Sequence, residues 1–415
     1  MINRRHVLMG AAASAALSVR PVMAQPAKEV VIGVLFPMSG PSAQIGIDAK
    51  HALETAVDII NNVHDIDMPM AKNAGLAGLG GAKVRLVFAD HQGDPQKGRA
   101  EAERLITQEK VCAMVGAYHS SVTATASISC ERYRTPFVVA DSTSPNLTKR
   151  GLKFMFRTTA HDEMFSIAMF DFLDAMRSSG KAVKRLALFH EDTIFGTDSS
   201  NVQRELAKAR GYELVADVKY RANSPSLTSE VQQIKSADPD VLMPSSYSTD
   251  AILLVRTMAE LGYKPRNIVA QAAGFADQSV FDAVGDKLGG MISRASFGLD
   301  LVAKRPAIKP VNDLFKVRAR RDLNDNTSRQ FMALMVLADA IDRAKSTDGP
   351  VIRDALAATK MPGERTIMPW SVCSFDADGQ NQGAHPILIQ YVNKSWVTIF
   401  PDSVAIGKPA WPMNG

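Results

Sequence analysis

The chain predicts an α/β fold of two doubly wound, parallel-sheet lobes joined by three crossovers. Three observations carry this. Short apolar runs alternate with helix-length amphipathic segments from Val30 to Ala140, the pattern of a parallel sheet covered on both faces. The same alternation restarts after Thr159 and continues to Ala270. Three further helical segments and a strand-rich tail then follow. If those helices complete one lobe and those strands the other, the chain crosses between lobes three times.

In the first half, Val30–Phe36 reads as a strand. Ala49–Asn61 reads as a helix with Ala52, Leu53, Ala56, Val57 and Ile60 on one side. Residues 62–81 hold Pro69, Gly75, Gly78, Gly80 and Gly81 and read as a loop. Lys83–Ala89, Val111–Val115 and Pro136–Ala140 are strands; Pro95–Glu109 and Ser120–Arg132 are helices. The pattern pauses at Lys153–Thr159. In the second half, His161–Arg177, Phe195–Arg210, Ser226–Ser236 and Thr249–Leu261 are helices. They alternate with strands at Arg185–Phe189, Glu213–Tyr220, Val241–Pro244 and Asn267–Ala270. Lys309–Arg321, Ser328–Ala344 and Val351–Ala358 are the three later helices. Trp370–Phe400 reads as short strands with a turn at Asp376–Gly379. Lobe one is expected from residues 25–160 plus about 296–368, and lobe two from about 161–295 plus 369–415.

The first 24 residues read as an export signal: Arg4-Arg5, a weakly apolar run from Val7 to Val19, and Val22-Met23-Ala24 before Gln25. Asn3-Arg4-Arg5-His6-Val7-Leu8 resembles the twin-arginine pattern, without the usual Ser/Thr before the arginines or Phe at position 7. The run is too short for a membrane anchor, and no later run reaches spanning length. Removing the segment takes away three arginines and no acids, so the net charge falls from +5 to +2. That balance gives no nucleic-acid footprint. The remaining stretch of about 390 residues suffices for two cored lobes. Cys112, Cys130 and Cys373 show no CxxC spacing, so neither zinc nor a redox motif is signalled. At most one disulfide fits within a monomer; apolar surroundings favour buried free thiols.

Catalytic and cofactor signatures are missing. There is no GxxxxGK[ST], no GxGxxG opening a helix and no GxSxG elbow. Ser178-Ser179-Gly180-Lys181 sits at a helix end and reads as a glycine cap. Asp376-Ala377-Asp378-Gly379 lacks the distal calcium ligands and reads as a turn. The eight histidines are scattered without metal spacing. His190-Glu191-Asp192, between a strand and a helix, reads as capping or ligand contact. An exported two-lobe α/β chain without a nucleophile–base pair is expected to bind rather than react.

One stretch suits a ligand. Val111–Val115 runs into Gly116-Ala117-Tyr118-His119, and Ser120-Ser121 open a helix. Such a junction offers free N–H groups, a partial positive charge and hydroxyl donors to a small anion. Taken alone, Ser120 or Ser121 also reads as an ordinary N-cap.

Several segments resemble the periplasmic leucine/isoleucine/valine-binding proteins, the type I solute receptors of ABC importers. They are Phe36–Gly46, Asp94-Pro95, Gly116–Ser127, Ser142-Thr143-Ser144-Pro145-Asn146-Leu147-Thr148, Phe156-Arg157-Thr158-Thr159 and Phe195-Gly196. The resemblance runs from about Val30 to Phe400 and implies a clamp of Venus-flytrap type with its cleft at the strand ends. It implies that Ser120, beside Ser121, holds the ligand carboxylate. It puts Thr143, beside Ser142, on the head group and the Asp141 carbonyl toward an α-ammonium. Tyr118, Phe195, Tyr247 and Ile45 would form the walls, with Phe195 and Ile45 where leucine-type receptors carry tyrosines.

In Ala270-Gln271-Ala272-Ala273-Gly274-Phe275 the family's ammonium-pairing glutamate falls on Ala273, followed by Gly274. Either another acid replaces it (Asp141, Glu191 or Asp250), or the ligand lacks an ammonium, as an aromatic or aliphatic acid or an amide-like solute does. The implied partners are a small solute and a membrane permease, with a monomeric, periplasmic protein that needs no cofactor. The competing reading is a sensing module of the same fold that controls a signalling partner.

Overall fold

The structure is a computed structural model that describes residues 29–413; the expected export signal lies outside the described residues. The first sheet contains β1 (Glu29–Phe36), β2 (Lys83–Asp90), β3 (Ala113–Gly116), β4 (Phe137–Val139) and β5 (Met155–Arg157). Its order is β2-β1-β3-β4-β5, all parallel. Parallel neighbours require crossovers. Here they are α1 (Ala43–Asn61), α2 (Pro95–Thr107) and α3 (Ser120–Arg132).

A second alternating series follows. It comprises α4 (Asp162–Ser178), β6 (Arg185–Glu191), α5 (Ile194–Ala209), β7 (Glu213–Tyr220), α6 (Thr228–Ala237), β8 (Val241–Ser245) and α7 (Ser248–Glu260). It ends with β9 (Val269–Ala270), α8 (Gln278–Val284) and β10 (Ile292–Ala295). Strands β7-β6-β8 are parallel, and a bridge from Leu242 to Ile268 leads on to β9 and β10.

The chain then returns to the first sheet as α9 (Ile308–Ala319), α10 (Asp325–Ala344) and α11 (Gly349–Ala357). After the small ribbon β11 (Met361–Pro362) and β12 (Val372–Cys373) come β13 (Ile387–Val392) and β14 (Ser395–Phe400). Strand β13 adds antiparallel to β10, and β14 antiparallel to β13. Each sheet is covered on both faces. One core joins the first sheet to α1, α9 and α10, and another joins it to α2 and α3. Two more cores flank the second sheet.

Four expectations need correction. Helix α1 begins at Ala43 rather than Ala49; Gly46 packs where a Cβ would overlap the Pro37 carbonyl, which masked the helical pattern. The pause at Lys153–Thr159 contains β5, a three-residue strand beside β4. Helix α8 and strand β10 have no counterpart in the sequence reading. The tail does not all belong with the second sheet from residue 369. Gln380 bridges to Arg157, and Trp370 and Cys373 join the first core. All three cysteines are free, with Cys130 and Cys373 buried. Among the described residues, no helix is long and apolar enough to cross a membrane.

Candidate functional site

Strand β3 ends at Gly116, whose φ of +153° lets the backbone pass close to Leu35, where a Cβ would overlap the Leu35 carbonyl. Four residues later α3 begins at Ser120. The N-cap is His119, and its side chain makes no capping bond. Ser120 and Ser121 are therefore inside the helix and are not its caps. The first-turn N–H groups keep their donor capacity for something else. In this structure the Tyr247 hydroxyl is turned toward the Ser120 N–H.

His119 is packed among rings. Its centroid lies 5.4 Å from His91, 5.1 Å from Tyr118 and 4.7 Å from Tyr247. Burial holds His119 at about 3 and His91 at about 4, so both are neutral near pH 7 and neither supplies a cation.

The Ser142–Thr148 turn approaches α3 from the end of β4. The Ser142 hydroxyl donates to the Ala117 carbonyl at 2.7 Å and lies 2.6 Å from Thr123 Oγ1. It braces the two turns and is not among the residues lining the space between the lobes. Thr143 does face that space. Its hydroxyl is turned to the Asp162 carboxyl, and its carbonyl accepts from the Asp162 N–H at 2.8 Å. Behind the turn, fully buried Arg157 donates to Ser144 O at 2.7 Å, Ser142 O at 3.3 Å and Gln380 Oε1 at 2.6 Å.

The second series supplies the opposite wall. Phe195 lies in the first turn of α5 and Tyr247 is the N-cap of α7, with ring centroids 5.2 Å apart. Tyr247 also meets Tyr118 at 5.1 Å. Ala272 and Ala273 both adopt positive φ, 57° and 53°, a conformation that is unfavourable for a residue with a Cβ. Gly274 then packs against Tyr247 and Ser248 where a Cβ would collide with the backbone. The two walls also touch directly. Asp198 on α5 accepts from the Ser144 hydroxyl and from Asn146 Nδ2, and Thr249 Oγ1 donates to Pro41 O at 3.1 Å.

Nine residues converge on one narrow space: Tyr118, Ser120, Asp141, Thr143, Phe195, Tyr247, Ala273, Arg294 and Arg329. Its volume is about 10 Å³, close to what one water needs. Seven of the nine were singled out from the sequence; Arg294 and Arg329 were not. Both are fully buried. Arg294 lies in β10 and its guanidinium sits 3.8 Å from the Phe165 ring centroid. Arg329, on α10, donates to the Asp141 carbonyl at 3.3 Å and lies 3.1 Å from Asp325 Oδ2. The available signal was a charge within the short, mostly apolar stretch Met291–Phe297 for Arg294; Arg329 lies in the polar run Asn324–Gln330 and carried none. Ile45 is buried in the first core and lines neither this space nor its neighbour.

That neighbouring space, about 120 Å³, is lined by Ser42, Ser121, His119, Glu191 and Asp250 among others, with Tyr247 as the shared wall. Glu191 accepts from Thr193 Oγ1 at 2.7 Å and from the Tyr247 N–H at 3.2 Å. Burial pushes its carboxyl up to about 8 from an ordinary 4.5, against those two hydrogen bonds. The folded protein therefore holds a proton here that the unfolded chain has released, so stability falls as pH rises between these two values. The melting temperature should drop between about pH 6 and pH 8, and Glu191→Gln should flatten that drop. Equal drops in both proteins would exclude Glu191 as the source. Among the described residues, no group of His, Cys, Asp or Glu side chains could hold a metal ion.

A sequence profile described as "Periplasmic binding protein" matches residues 29–395. The chain is 27% identical over 411 residues to a Leu/Ile/Val-binding protein homolog of Brucella suis, covering 96% of this chain and 98% of the relative. Its fold matches a leucine-binding protein of Thermotoga maritima with a TM-score of 0.76 at 22% identity, covering 90% of this chain and 99% of that one. It also matches an ABC-transporter solute-binding protein of Rhodopseudomonas palustris in complex with 3,4-dihydroxybenzoic acid, with a TM-score of 0.74 at 18% identity and coverages of 92% and 99%.

Proposed function

The chain belongs to the periplasmic binding proteins, and from that premise we propose that it is the solute receptor of an ABC importer. It captures a small carboxylate or amide-like solute between its two lobes. The supporting observation is the meeting, at the side-chain-uncapped start of α3, of Ser120 and Thr143 from one wall with Phe195, Tyr247 and Ala273 from the other. A carboxylate entering there takes over the Ser120 N–H that the Tyr247 hydroxyl now faces. It also gains the Ser120 hydroxyl and, once that group turns from the Asp162 carboxyl, the Thr143 hydroxyl. Closure is favoured because only the closed form makes both sets of contacts. Micromolar affinity needs about 8 kcal/mol, within reach of two or three charge-assisted hydrogen bonds and an enclosed apolar body.

The family's named relatives span an amino-acid binder and a receptor holding an aromatic acid, so both ligand types suit this fold. In this reading residues 1–24 direct export, the protein works as a monomer outside the cytoplasm, and its closed form docks on a membrane permease. The lobes are residues 29–160 with about 296–386, and about 161–295 with about 387–413.

Thermal-shift and calorimetric screening of amino acids, aliphatic and aromatic acids, and amides tests the proposal. A saturable response with one-to-one stoichiometry is expected. Folded protein that responds to none of these classes refutes it.

A further inference from the structure

Resting on the receptor reading, we infer that Arg294 anchors the ligand and that the anchored end is a carboxylate carrying no α-ammonium. The first argument is the state of Arg294 itself. Its side chain is 1% exposed and lines the same narrow space as Ser120 and Thr143. Its Nε and Nη1 are buried and have no hydrogen-bond partner among the described residues. The nearest carboxylate oxygen, Asp325 Oδ2, lies 3.8 Å away and is held more closely by Arg329, at 3.1 Å. The other Asp325 oxygen accepts from the Ser296 N–H at 2.6 Å. A buried guanidinium with two free donors is costly unless an anion completes it. Its fixed charge and charged N–H donors suit a carboxylate. Stacking on Phe165 fixes its plane without using its N–H groups.

The second argument concerns what an ammonium would meet. The position of the family's glutamate is Ala273, which accepts nothing. The Asp141 carbonyl, the other expected acceptor, already takes a hydrogen bond from Arg329 Nη1. An ammonium placed against that carbonyl would sit beside a guanidinium. Asp141 lines the space and its Oδ1 is buried without a hydrogen-bond partner, but that charge is already matched by the Arg329 guanidinium, with Nη2 3.6 Å away. Its partner oxygen accepts from Gln330 at 2.9 Å. The head-group end thus has no acid at position 273 and two buried arginines, and the free donors belong to Arg294.

Binding to the full chain is measured by calorimetry for matched pairs that share a carbon skeleton. The pairs are acetate and glycine, isovalerate and valine, isocaproate and leucine, phenylacetate and phenylglycine, and hydrocinnamate and phenylalanine. At least one acid is expected to bind about 100-fold or more tightly than its amino acid, because the ammonium would be buried unpaired. Arg294→Gln should weaken that acid by about 100-fold while binding of the matching primary amide changes less than tenfold. Arg294→Lys should recover part of the loss.

An amino acid that binds as well as or better than its acid overturns this inference and leaves the receptor reading standing. So does an Arg294→Gln protein that keeps wild-type affinity for the acid. Failure of every probe to bind overturns both. Should Arg294→Gln not fold, the wild-type comparison within each pair still decides the ammonium question, and Arg294→Lys decides the anchor.

Discussion

Replacing both Ser120 and Thr143 with alanine is expected to weaken ligand binding by at least about 100-fold. Both residues line the narrow space between the lobes, the Thr143 hydroxyl having to turn from the Asp162 carboxyl to meet the ligand, and a hydrogen bond to a charged group contributes about 1.5–3 kcal/mol. Two such bonds to one carboxylate give a loss of about 3–6 kcal/mol. The fold should tolerate the change, since the Asp162 carboxyl that loses the Thr143 hydroxyl still accepts from Ser199 and Gln271. Ser120 is not the N-cap of α3, and its hydroxyl has only a long 3.5 Å contact with the Ser144 N–H. The measurement is calorimetric titration of the double variant with the tightest ligand from the screen, beside circular dichroism to confirm folding. Unchanged affinity in a folded double variant would mean that the head group sits elsewhere. The neighbouring space beside Glu191 is then the next place to look.

The second large effect concerns Arg157, which touches no part of the narrow space. Arg157→Met should destabilise the protein by about 3–5 kcal/mol in urea unfolding, since removing it leaves buried acceptors unpaired at about 1–3 kcal/mol each. Those acceptors are the Ser142 and Ser144 carbonyls and Gln380 Oε1. The first two belong to the turn that carries Thr143. The third belongs to the tail, where Gln380 Nε2 also donates to the Thr159 carbonyl at 2.8 Å. One side chain thus ties the ligand-facing turn to the strands that run between the lobes. Ligand affinity should fall together with stability. A variant with wild-type unfolding would show that solvent or relaxation satisfies these groups.

Much of the architecture was legible because periodicity is local. Helix α3 runs from Ser120 to Arg132, as its pattern requires, and β7 spans Glu213 to Tyr220. Short elements were not legible: three residues at Met155–Arg157 form a strand only because β4 lies beside them. The same division holds at the site. Ser120, Thr143, Phe195, Tyr247 and Ala273 carried motif context and do meet. Ser142 sits next to Thr143 yet turns the other way, toward Ala117, a difference that neighbouring residues in an extended turn do not advertise. Arg294 looks like a stray charge in a short apolar stretch, and Arg329 like one more polar residue in the run Asn324–Gln330. Their meaning lies in a juxtaposition across 35 residues of chain, around the shared carboxylate of Asp325.

The pairing of β13 with β10, and of β14 with β13, also bears on how the molecule comes together. Residues 387–400 complete a sheet whose other strands begin at Arg185. Until they arrive, β10 presents a bare edge, the kind of surface that pairs with other chains. The first sheet likewise receives α9 and α10 only after the second series has been made. Neither lobe is a contiguous stretch that finishes on its own, so the two are expected to mature together, through contacts of long sequence separation that slow folding. A chain cut before residue 387 would be prone to aggregate, and a newly made chain would benefit from being kept apart from its copies until its final strands are in place.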